Sequence, residues 1–291
     1  MIRSHLSWQS KLVLLLVLPF AATSMLLDCL VWFGEPQPVA AWTLALSALL
    51  GVLTWRARAA TPAGAATGAV ITASLMFSTA FFPYRPWHTG LVPALAVVVL
   101  AFAATRVGRR MKERLGTAEA RRGRSASQIA ANLGVAALVA IASFQSWMLD
   151  QRWSLNVSRA GVSLLVLTVA ALAEAAADTV SSEIGQVLGG RPRMITTLRA
   201  VEPGTDGAVS MAGTVAGVIA AAVVAGLGAW ALRGNRVFFA VSCAGGVFGL
   251  LFDSLLGATL EAWDWLNNDA VNFLSTASAA GFALALLAMW R

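Results

Sequence analysis

Long apolar segments alternate with short polar or basic connections along the whole chain. A helix that crosses a bilayer needs roughly 20 predominantly apolar residues, because each residue adds about 1.5 Å of length. The pattern therefore predicts an all-α, polytopic membrane protein. Its nine predicted helices lie at about 12–33, 39–56, 62–82, 90–106, 126–149, 160–184, 207–232, 237–261 and 270–290.

The composition supports the membrane class and changes how the charge is interpreted. Hydrophobic residues make up 58% of the chain and charged residues 12%, whereas soluble domains contain about a quarter charged residues. A net charge of +7 would suggest nucleic-acid binding in a soluble protein. Here the basic residues flank apolar spans, so we expect contacts with anionic lipid or phosphate and no nucleic-acid partner.

The distribution of Lys and Arg predicts the orientation. With the N-terminus inside, 15 of the 21 basic residues fall in or next to inside segments and 6 in outside segments. Cytoplasmic loops carry the excess of Lys and Arg. We therefore expect the N-terminus in the cytoplasm and the C-terminus outside, in a bacterial inner membrane.

Five helix ends rich in polar and small residues converge on the predicted cytoplasmic side. They are RRGRSASQIAAN (121–132), ADTVSSEIG (177–185), VEPGTDGAVSMAGT (201–214), FDSLLGATLE (252–261) and NNDAVNFLST (267–276). The predicted outer ends carry no comparable motif. This asymmetry predicts one polar site that opens to the cytoplasm.

Three carboxylates at these ends are candidates for a Mg²⁺ site. Asp178 and Glu183 lie at the end of the sixth predicted helix, and Asp253 lies about two turns inside the eighth. Ionised carboxylates at such depth are costly unless they are paired, hydrated or bound to metal. Mg²⁺ takes oxygen ligands, often one or two carboxylates together with substrate phosphates. The alternative is hydrogen bonding between helices, with Asn, Ser or Arg as partners.

Other residues at the same ends are candidates for binding phosphates. Arginine offers forked donors to phosphate, and the glycine-rich EPGTDGAVS turn leads into a helix N-terminus that presents backbone N–H groups. The basic residues have a topogenic alternative. The candidates are Arg121, Arg124, Gln128, Asn132, Ser182, Arg193, Gly204, Asp206, Gly207, Ser210, Asn268 and Asn272.

The chain resembles an integral membrane family known as domain-of-unknown-function family ninety-two, that of transmembrane protein nineteen and the plant phytyl-phosphate kinase. The resemblance is carried, in the family's order, by RSASQIAANLG, AEAAADTVSSEIG, PRMITTLRAVEPGTDGAVSMAGTVAG, FDSLLGATLE and NNDAVNFLST. It implies a single integral membrane domain over 1–291, with a family core at 61–291 and less diagnostic helices at 1–60. For the characterised plant branch it implies a CTP-type kinase that acts on an isoprenoid monophosphate.

A second resemblance involves the spacing D-x6-G-x3-G, formed here by Asp178, Gly185 and Gly189. It looks like the signature of CTP-using membrane enzymes such as dolichol kinase, phytol kinase and phosphatidate cytidylyltransferase. Gly190 separates Arg191 from the last glycine of the motif, where those enzymes place a basic residue.

These patterns together predict an enzyme, with two alternatives. The expected reaction is Mg²⁺-dependent phosphoryl transfer from a nucleoside triphosphate, CTP favoured, to a prenyl monophosphate of phytyl or geranylgeranyl type. Membrane lipids surround the protein, and a homodimer is left open. The alternatives are a transporter or scramblase, because buried acids and glycine-broken helices also serve ion-coupled paths, and a noncatalytic assembly factor.

Overall fold

The computed structural model describes residues 6–35, 37–116, 123–142, 144–146 and 163–289. Its α-helices are α1 (Ser7–Phe33), α2 (Val39–Arg56), α3 (Pro62–Ser78), α4 (Leu91–Arg106), α5 (Arg109–Leu115), α6 (Ala126–Ala140), α7 (Leu165–Leu188), α8 (Met211–Ala231), α9 (Arg236–Leu256) and α10 (Asn268–Met289). A 3₁₀ turn spans Pro86–His88, a π-helical turn spans Gly257–Glu261, and two short strands are β1 (Arg193–Met194) and β2 (Ala208–Val209).

An apolar helix lies at each of the nine predicted positions, and several helix ends differ from the prediction. α1 begins at Ser7 rather than 12, α3 ends at Ser78 rather than 82, and α6 ends at Ala140 rather than 149. α7 continues to Leu188, past the predicted end at 184. α8 begins at Met211 rather than 207, because Ala208 and Val209 pair with β1 in an antiparallel ladder. The short α5 lies in the basic segment that was predicted to be a loop.

Six described helices are long and apolar enough to cross a membrane, namely α1, α2, α7, α8, the α9–π segment Arg236–Glu261, and α10. Three apolar helices, α3, α4 and α6, are shorter. Large apolar side chains on the outer surface, such as Leu15, Phe20 and Leu30, are more than half exposed, a surface that lipid covers. The chain is an all-α polytopic membrane protein, and the number of spans and their orientation stay predictions.

Helix α7 forms the centre of the bundle, because its residues 166–177 are all buried. Glycines on α8 and α9 bring their backbones against it. A Cβ added at Gly217 of α8 would lie 2.8 Å from the Ala177 carbonyl oxygen, and one at Gly246 of α9 would lie 2.7 Å from Ala173 Cβ. Such small-residue contacts permit the close approach of helices in lipid, where apolar burial gives little drive for association.

The segments that were predicted to share one side contact one another. The Arg124 backbone N–H donates to the Ala59 carbonyl, and the Thr61 N–H donates to the Arg124 carbonyl. At the start of α10, the Asn267 N–H donates to Gln9 Oε1 on α1, and Gln9 Nε2 donates to the Trp265 carbonyl, both at 2.8 Å. The polar helix ends therefore gather at one end of the bundle.

We expect a C-terminal reporter to establish the orientation. Alkaline phosphatase fused after Arg291 should be active, because the C-terminus is predicted to lie outside. A fluorescent protein fused there should stay dark, and one inserted after Gly116 should fluoresce. A bright fusion at Arg291 together with inactive phosphatase would exclude the nine-span topology.

We expect Gly217→Ala to destabilise the bundle, by roughly 1–3 kcal/mol, as overpacking of a core does. The added methyl group would meet the α7 backbone, which has no room to move. Gly226→Ala on the same helix is the matched control, because its Cβ would meet only Phe239 at 3.8 Å. Thermal unfolding in detergent measures both variants, and equal midpoints would contradict the packing argument.

Candidate functional site

A polar pocket of about 150 Å³ lies where α7, α8, α9 and α10 end or begin at one end of the bundle. We call it the acidic pocket. It is lined by the helix ends, the glycine turn 203–207 and the π-helical turn. Of the predicted site residues, it brings together Asp178, Ser182, Gly204, Asp206, Gly207, Ser210, Asp253 and Asn268.

Two carboxylates from different helices meet in this pocket. Asp178 of α7 and Asp253 of α9 both line it, although 75 positions separate them in the chain. Oδ2 of Asp253 is buried and has no hydrogen-bond partner among the described residues. A buried carboxylate oxygen without a partner is costly, and a cation beside it would remove that cost.

The glycine turn is held against the end of α9 by close backbone packing. Gly204 and Gly207 have positive φ values of 87° and 74°, which glycine adopts without strain. A Cβ at Gly207 would lie 2.2 Å from the Ala258 backbone nitrogen in the π-helical turn. Only glycine fits there, so the turn that carries Asp206 stays next to Asp253.

The end of α7 packs on the start of α8 through Ser210. The Ser210 hydroxyl accepts from the Gly213 N–H at 3.1 Å and caps α8. A Cβ at Gly189 would lie 2.5 Å from Ser210 Oγ. The glycines that follow Asp178 therefore let α8 and its preceding turn approach α7.

A further acid, Glu174, lies one turn deeper than Asp178 on α7. It is 1% exposed, and its Oε1 has no hydrogen-bond partner among the described residues. Gly249 of α9 makes room for it, because a Cβ there would lie 2.4 Å from Glu174 Cγ. The pocket thus lies directly above a buried carboxylate.

Glu183 does not line the acidic pocket, which differs from the prediction. Its carboxylate forms an ion pair with the Lys112 ammonium group of α5. Lys112 is 1% exposed and also donates to the Ala104 and Thr105 carbonyls at the end of α4. The pair fastens α5 to α7 and gives Lys112 a buried structural contact, and the predicted metal role of Glu183 stays a prediction.

The amide side chains of α6 are occupied in local structure. Gln128 completes a capping box, in which its Oε1 accepts from the Ser125 N–H at 2.8 Å. Asn132 Nδ2 donates to the Gln128 carbonyl at 2.8 Å. Gln128 therefore caps the start of α6, as Ser-x-x-Gln sequences do, and its predicted phosphate role stays a prediction.

The remaining candidates lie outside the acidic pocket. Arg193 Nη1 donates to the Leu198 carbonyl at 2.8 Å and stabilises the loop around β1, and Asn272 is not part of the pocket lining. Arg124 and Asn132 line a second cavity. Arg121 falls outside the described residues.

The described residues contain no group of three or more His, Cys, Asp or Glu side chains that could hold a metal ion. Metal binding by Asp178, Glu183 and Asp253 stays a prediction, and Glu183 lies outside the lining of the acidic pocket. The Asp178–Asp253 pair remains, and this number suits Mg²⁺, which commonly completes its shell with water and substrate phosphates.

Two residues with structural contacts at or near the pocket were not among the predicted site residues, although Glu261 belongs to the polar helix end 252–261. Glu261 lines it and is 8% exposed. Its place in a π-helical turn, a feature frequent at functional sites, is invisible to hydropathy. Lys112 looked like one of many basic residues, and no local pattern identifies its partner 71 residues away.

The fold and the pocket define a polytopic membrane protein with a carboxylate-bearing polar site at one end of its helix bundle. The profile of the integral membrane protein family DUF92 matches residues 45–280. The chain belongs to this family.

Several curated proteins are similar to the chain. An uncharacterised membrane protein of Methanocaldococcus jannaschii is 43% identical over 38% of this chain and 47% of its own length. One of Synechocystis is 34% identical over 68% of this chain and 73% of its own. The chloroplastic protein VTE6 of Arabidopsis thaliana is 30% identical over 80% of this chain and 60% of its own. No solved structure matches the chain.

We expect Lys112→Met to destabilise the protein by roughly 3 kcal/mol, because it leaves the Glu183 carboxylate without its partner in a largely buried position. Arg109→Met is the control, since it removes the exposed ion pair with Glu113, a kind of pair that contributes about 0–1 kcal/mol. Adding Glu183→Gln to Lys112→Met should recover part of the loss. Thermal unfolding measures all three, and a Lys112 variant as stable as the Arg109 variant would refute this role.

Proposed function

We propose that the protein transfers the γ-phosphoryl group of a nucleoside triphosphate, CTP favoured, to a prenyl monophosphate in the membrane. The bond between the γ-phosphorus and its bridging oxygen breaks, and an oxygen of the acceptor phosphate forms the new bond. The products are the prenyl diphosphate and the nucleoside diphosphate. The family resemblance supports this reaction class, and the site is proposed to face the cytoplasm.

The observation that carries the proposal is the meeting of Asp178 and Asp253 beside the glycine turn. The pocket combines two carboxylates with a turn whose glycines are held close to them. Carboxylates suit a phosphate-bound cation, and backbone N–H groups suit phosphate oxygens. A pocket that holds phosphates next to carboxylates needs a cation between these like charges and N–H donors for the phosphate oxygens.

The residues that would hold Mg²⁺ are Asp178 and Asp253. Mg²⁺ neutralises charge on the β- and γ-phosphates when bound. The turn at Gly204–Gly207 is proposed to orient those phosphates, and Asn268 to donate to them. Catalysis of this kind is mostly positioning and electrostatic stabilisation.

The size of the pocket limits what it holds. Small-molecule sites commonly occupy roughly 300–1,000 Å³, and the acidic pocket has about 150 Å³. It suits the phosphate groups, with the base and ribose outside over the 190–210 loop. An acceptor phosphate is already anionic at neutral pH, so the proposed reaction needs no histidine as a general base.

The course of α7 beyond Glu174 favours an enzyme over a transporter. Toward the opposite end of the bundle, residues 166–173 are all buried, and Thr168 is the only polar side chain among them. A transporter needs a polar route across the bilayer. This segment of α7 offers a packed apolar wall instead.

We expect purified protein given CTP, Mg²⁺ and geranylgeranyl or phytyl monophosphate to yield the prenyl diphosphate and CDP. Asp178→Asn and Asp253→Asn should each lower turnover at least 100-fold, because a carboxylate of the cation site is lost. Glu35→Gln, an exposed acid beyond the end of α1, is the control and should retain full activity. Product formation is followed by thin-layer chromatography with labelled CTP, ATP, UTP or GTP.

A defined pair of results would contradict the kinase proposal. If no nucleotide and acceptor pair gives turnover, while sealed proteoliposomes show protein-dependent movement of a lipid or ion, the protein is a transporter. Unchanged turnover in both Asp variants would remove the acidic pocket from the mechanism.

A further inference from the structure

A second and larger cavity lies beside the acidic pocket. It has a volume of about 420 Å³ and is bounded by α2, α3, α4 and α6, together with the connections at 57–60 and 123–124. The two cavities share no lining residue. The larger one falls within the size range of small-molecule sites, roughly 300–1,000 Å³.

The two ends of this cavity differ in character. Its inner part is apolar, with Val97, Val98 and Leu133 among the lining residues. Its mouth lies at the helix ends and carries arginines. From Arg106 to Val97 the cavity follows α4 for nine residues, or roughly 14 Å at 1.5 Å per residue. An apolar chain with an anionic head matches this shape.

The charge at the mouth is strongly one-sided. Arg58, Arg106, Arg109 and Arg124 line it, and Glu113 is the one lining carboxylate in the part of the chain that the structure describes. Glu113 is ion-paired with Arg109 at 3.2 Å. Three further arginines therefore surround the opening, and their forked donors favour phosphate.

Local structure holds these arginines in place. The Arg106 guanidinium lies 3.8 Å from the centroid of the Phe102 ring and donates to the Ala57 carbonyl at 3.4 Å. Arg58 and Arg124 lie on segments joined by backbone hydrogen bonds around Ala59. These hydrogen bonds hold the connection after α2 against the one before α6, so Arg58 and Arg124 are fixed relative to each other.

A hydrogen bond of Arg124 connects the mouth to the helix that carries Asp178. Arg124 Nη2 donates to Thr179 Oγ1 at 3.4 Å, and Thr179 follows Asp178 on α7. The charge of Arg124 also acts on the Asp178 carboxylate. A lipid head group at these arginines would therefore lie close to α7. Asp178 faces the acidic pocket from the same helix.

An apolar groove on the outer face of α2 and α3 offers a path for the chain. It has a volume of about 250 Å³ and includes Trp55 and Pro62 in its lining. It shares Gly51 and Ala65 with the large cavity. These two small residues, one on α2 and one on α3, therefore lie between the large cavity and the groove.

We infer that the large cavity binds a lipid with a phosphate head, with its apolar chain between α2, α3 and α4 and its head at Arg58, Arg106 and Arg124. The assignment of this lipid as the phosphoryl acceptor rests on the proposed function, whereas its binding in the cavity does not. In this assignment, Arg58 and Arg106 determine the specificity for the phosphate head.

The test is equilibrium binding of geranylgeranyl monophosphate to the full-length protein in detergent without nucleotide. Arg58→Gln and Arg106→Gln should each weaken binding about tenfold, the loss expected for one charge-assisted hydrogen bond. They should leave binding of the uncharged geranylgeraniol unchanged. Arg236→Gln, at the start of α9, is the charge-matched control and should bind both like the wild type.

A second variant tests the apolar part. Gly68→Leu should fill the cavity and weaken both the phosphate and the alcohol, because a Cβ at Gly68 meets only Ile129 at 3.7 Å, which leaves room for the new side chain to fold. Gly281→Leu on α10, with nothing within 4 Å, should have no effect. Wild-type affinity in the Gly68 and arginine variants would overturn the inference.

The outcomes separate this inference from the proposed function. Asp178→Asn should abolish turnover and keep lipid binding. If the variants change lipid binding as expected but no nucleotide gives turnover, the lipid site in the cavity is supported and the kinase proposal is refuted. Turnover that is unaffected by the cavity variants supports the kinase and refutes the assignment of the cavity lipid as the phosphoryl acceptor. Equal competition by phosphatidic acid identifies a bulk membrane lipid as the ligand, and no competition identifies the single-chain phosphate.

Discussion

The close approach of α8 and α9 to the central helix α7 is the constraint on which the site depends. Gly213 and Gly217 bring the α8 backbone against Ser181 and Ala177, and Gly249 brings α9 against Glu174. In lipid, apolar side chains gain little by leaving one apolar environment for another, so close packing must hold the helices together. The same packing brings Asp178 and Asp253 into one pocket and leaves Asp253 Oδ2 buried without a partner among the described residues.

The parts of the structure that follow from apolar length and local chemistry were predictable from the sequence. Each predicted helix position contains a helix, because only helices satisfy their backbone groups within a single span. The glycines of EPGTDG indicated a turn, and Gly204 and Gly207 adopt positive φ there. The convergence of the polar ends followed from placing the helices antiparallel, and it brought Asp178, Asp206 and Asp253 into one pocket.

The parts that depend on contacts between distant segments were not predictable. Glu183 and Asp178 lie on the same helix end, and nothing local distinguishes the acid that pairs with Lys112 from the one that faces the pocket. Gln128 looked like a ligand, and its role as a cap follows from the conformation of Ser125. The large cavity has no motif, because it consists of space left by small residues such as Gly51, Gly64 and Gly68.

In the proposed reaction, the two cavities serve substrates from different phases. One offers carboxylates and a backbone turn to charged phosphates, and the other offers an apolar chamber with arginines at its mouth. The Arg124–Thr179 hydrogen bond lies between them. An enzyme with one water-soluble and one lipid-soluble substrate must bind the two in neighbouring sites, while each substrate stays in its own environment.

The contact between the first and last helices has a consequence for how the protein is made. Near the ends of the chain, the Asn267 N–H donates to Gln9 Oε1 and Gln9 Nε2 donates to the Trp265 carbonyl. Asn267 Nδ2 also donates to the Leu6 carbonyl. Because the ribosome releases Asn267 long after Gln9, the first helix must reside in the bilayer through most of translation before its partner arrives. The closing of the bundle is therefore a late event in biogenesis, and until then the membrane insertion machinery or lipid must shelter the face of α1 that α10 later covers.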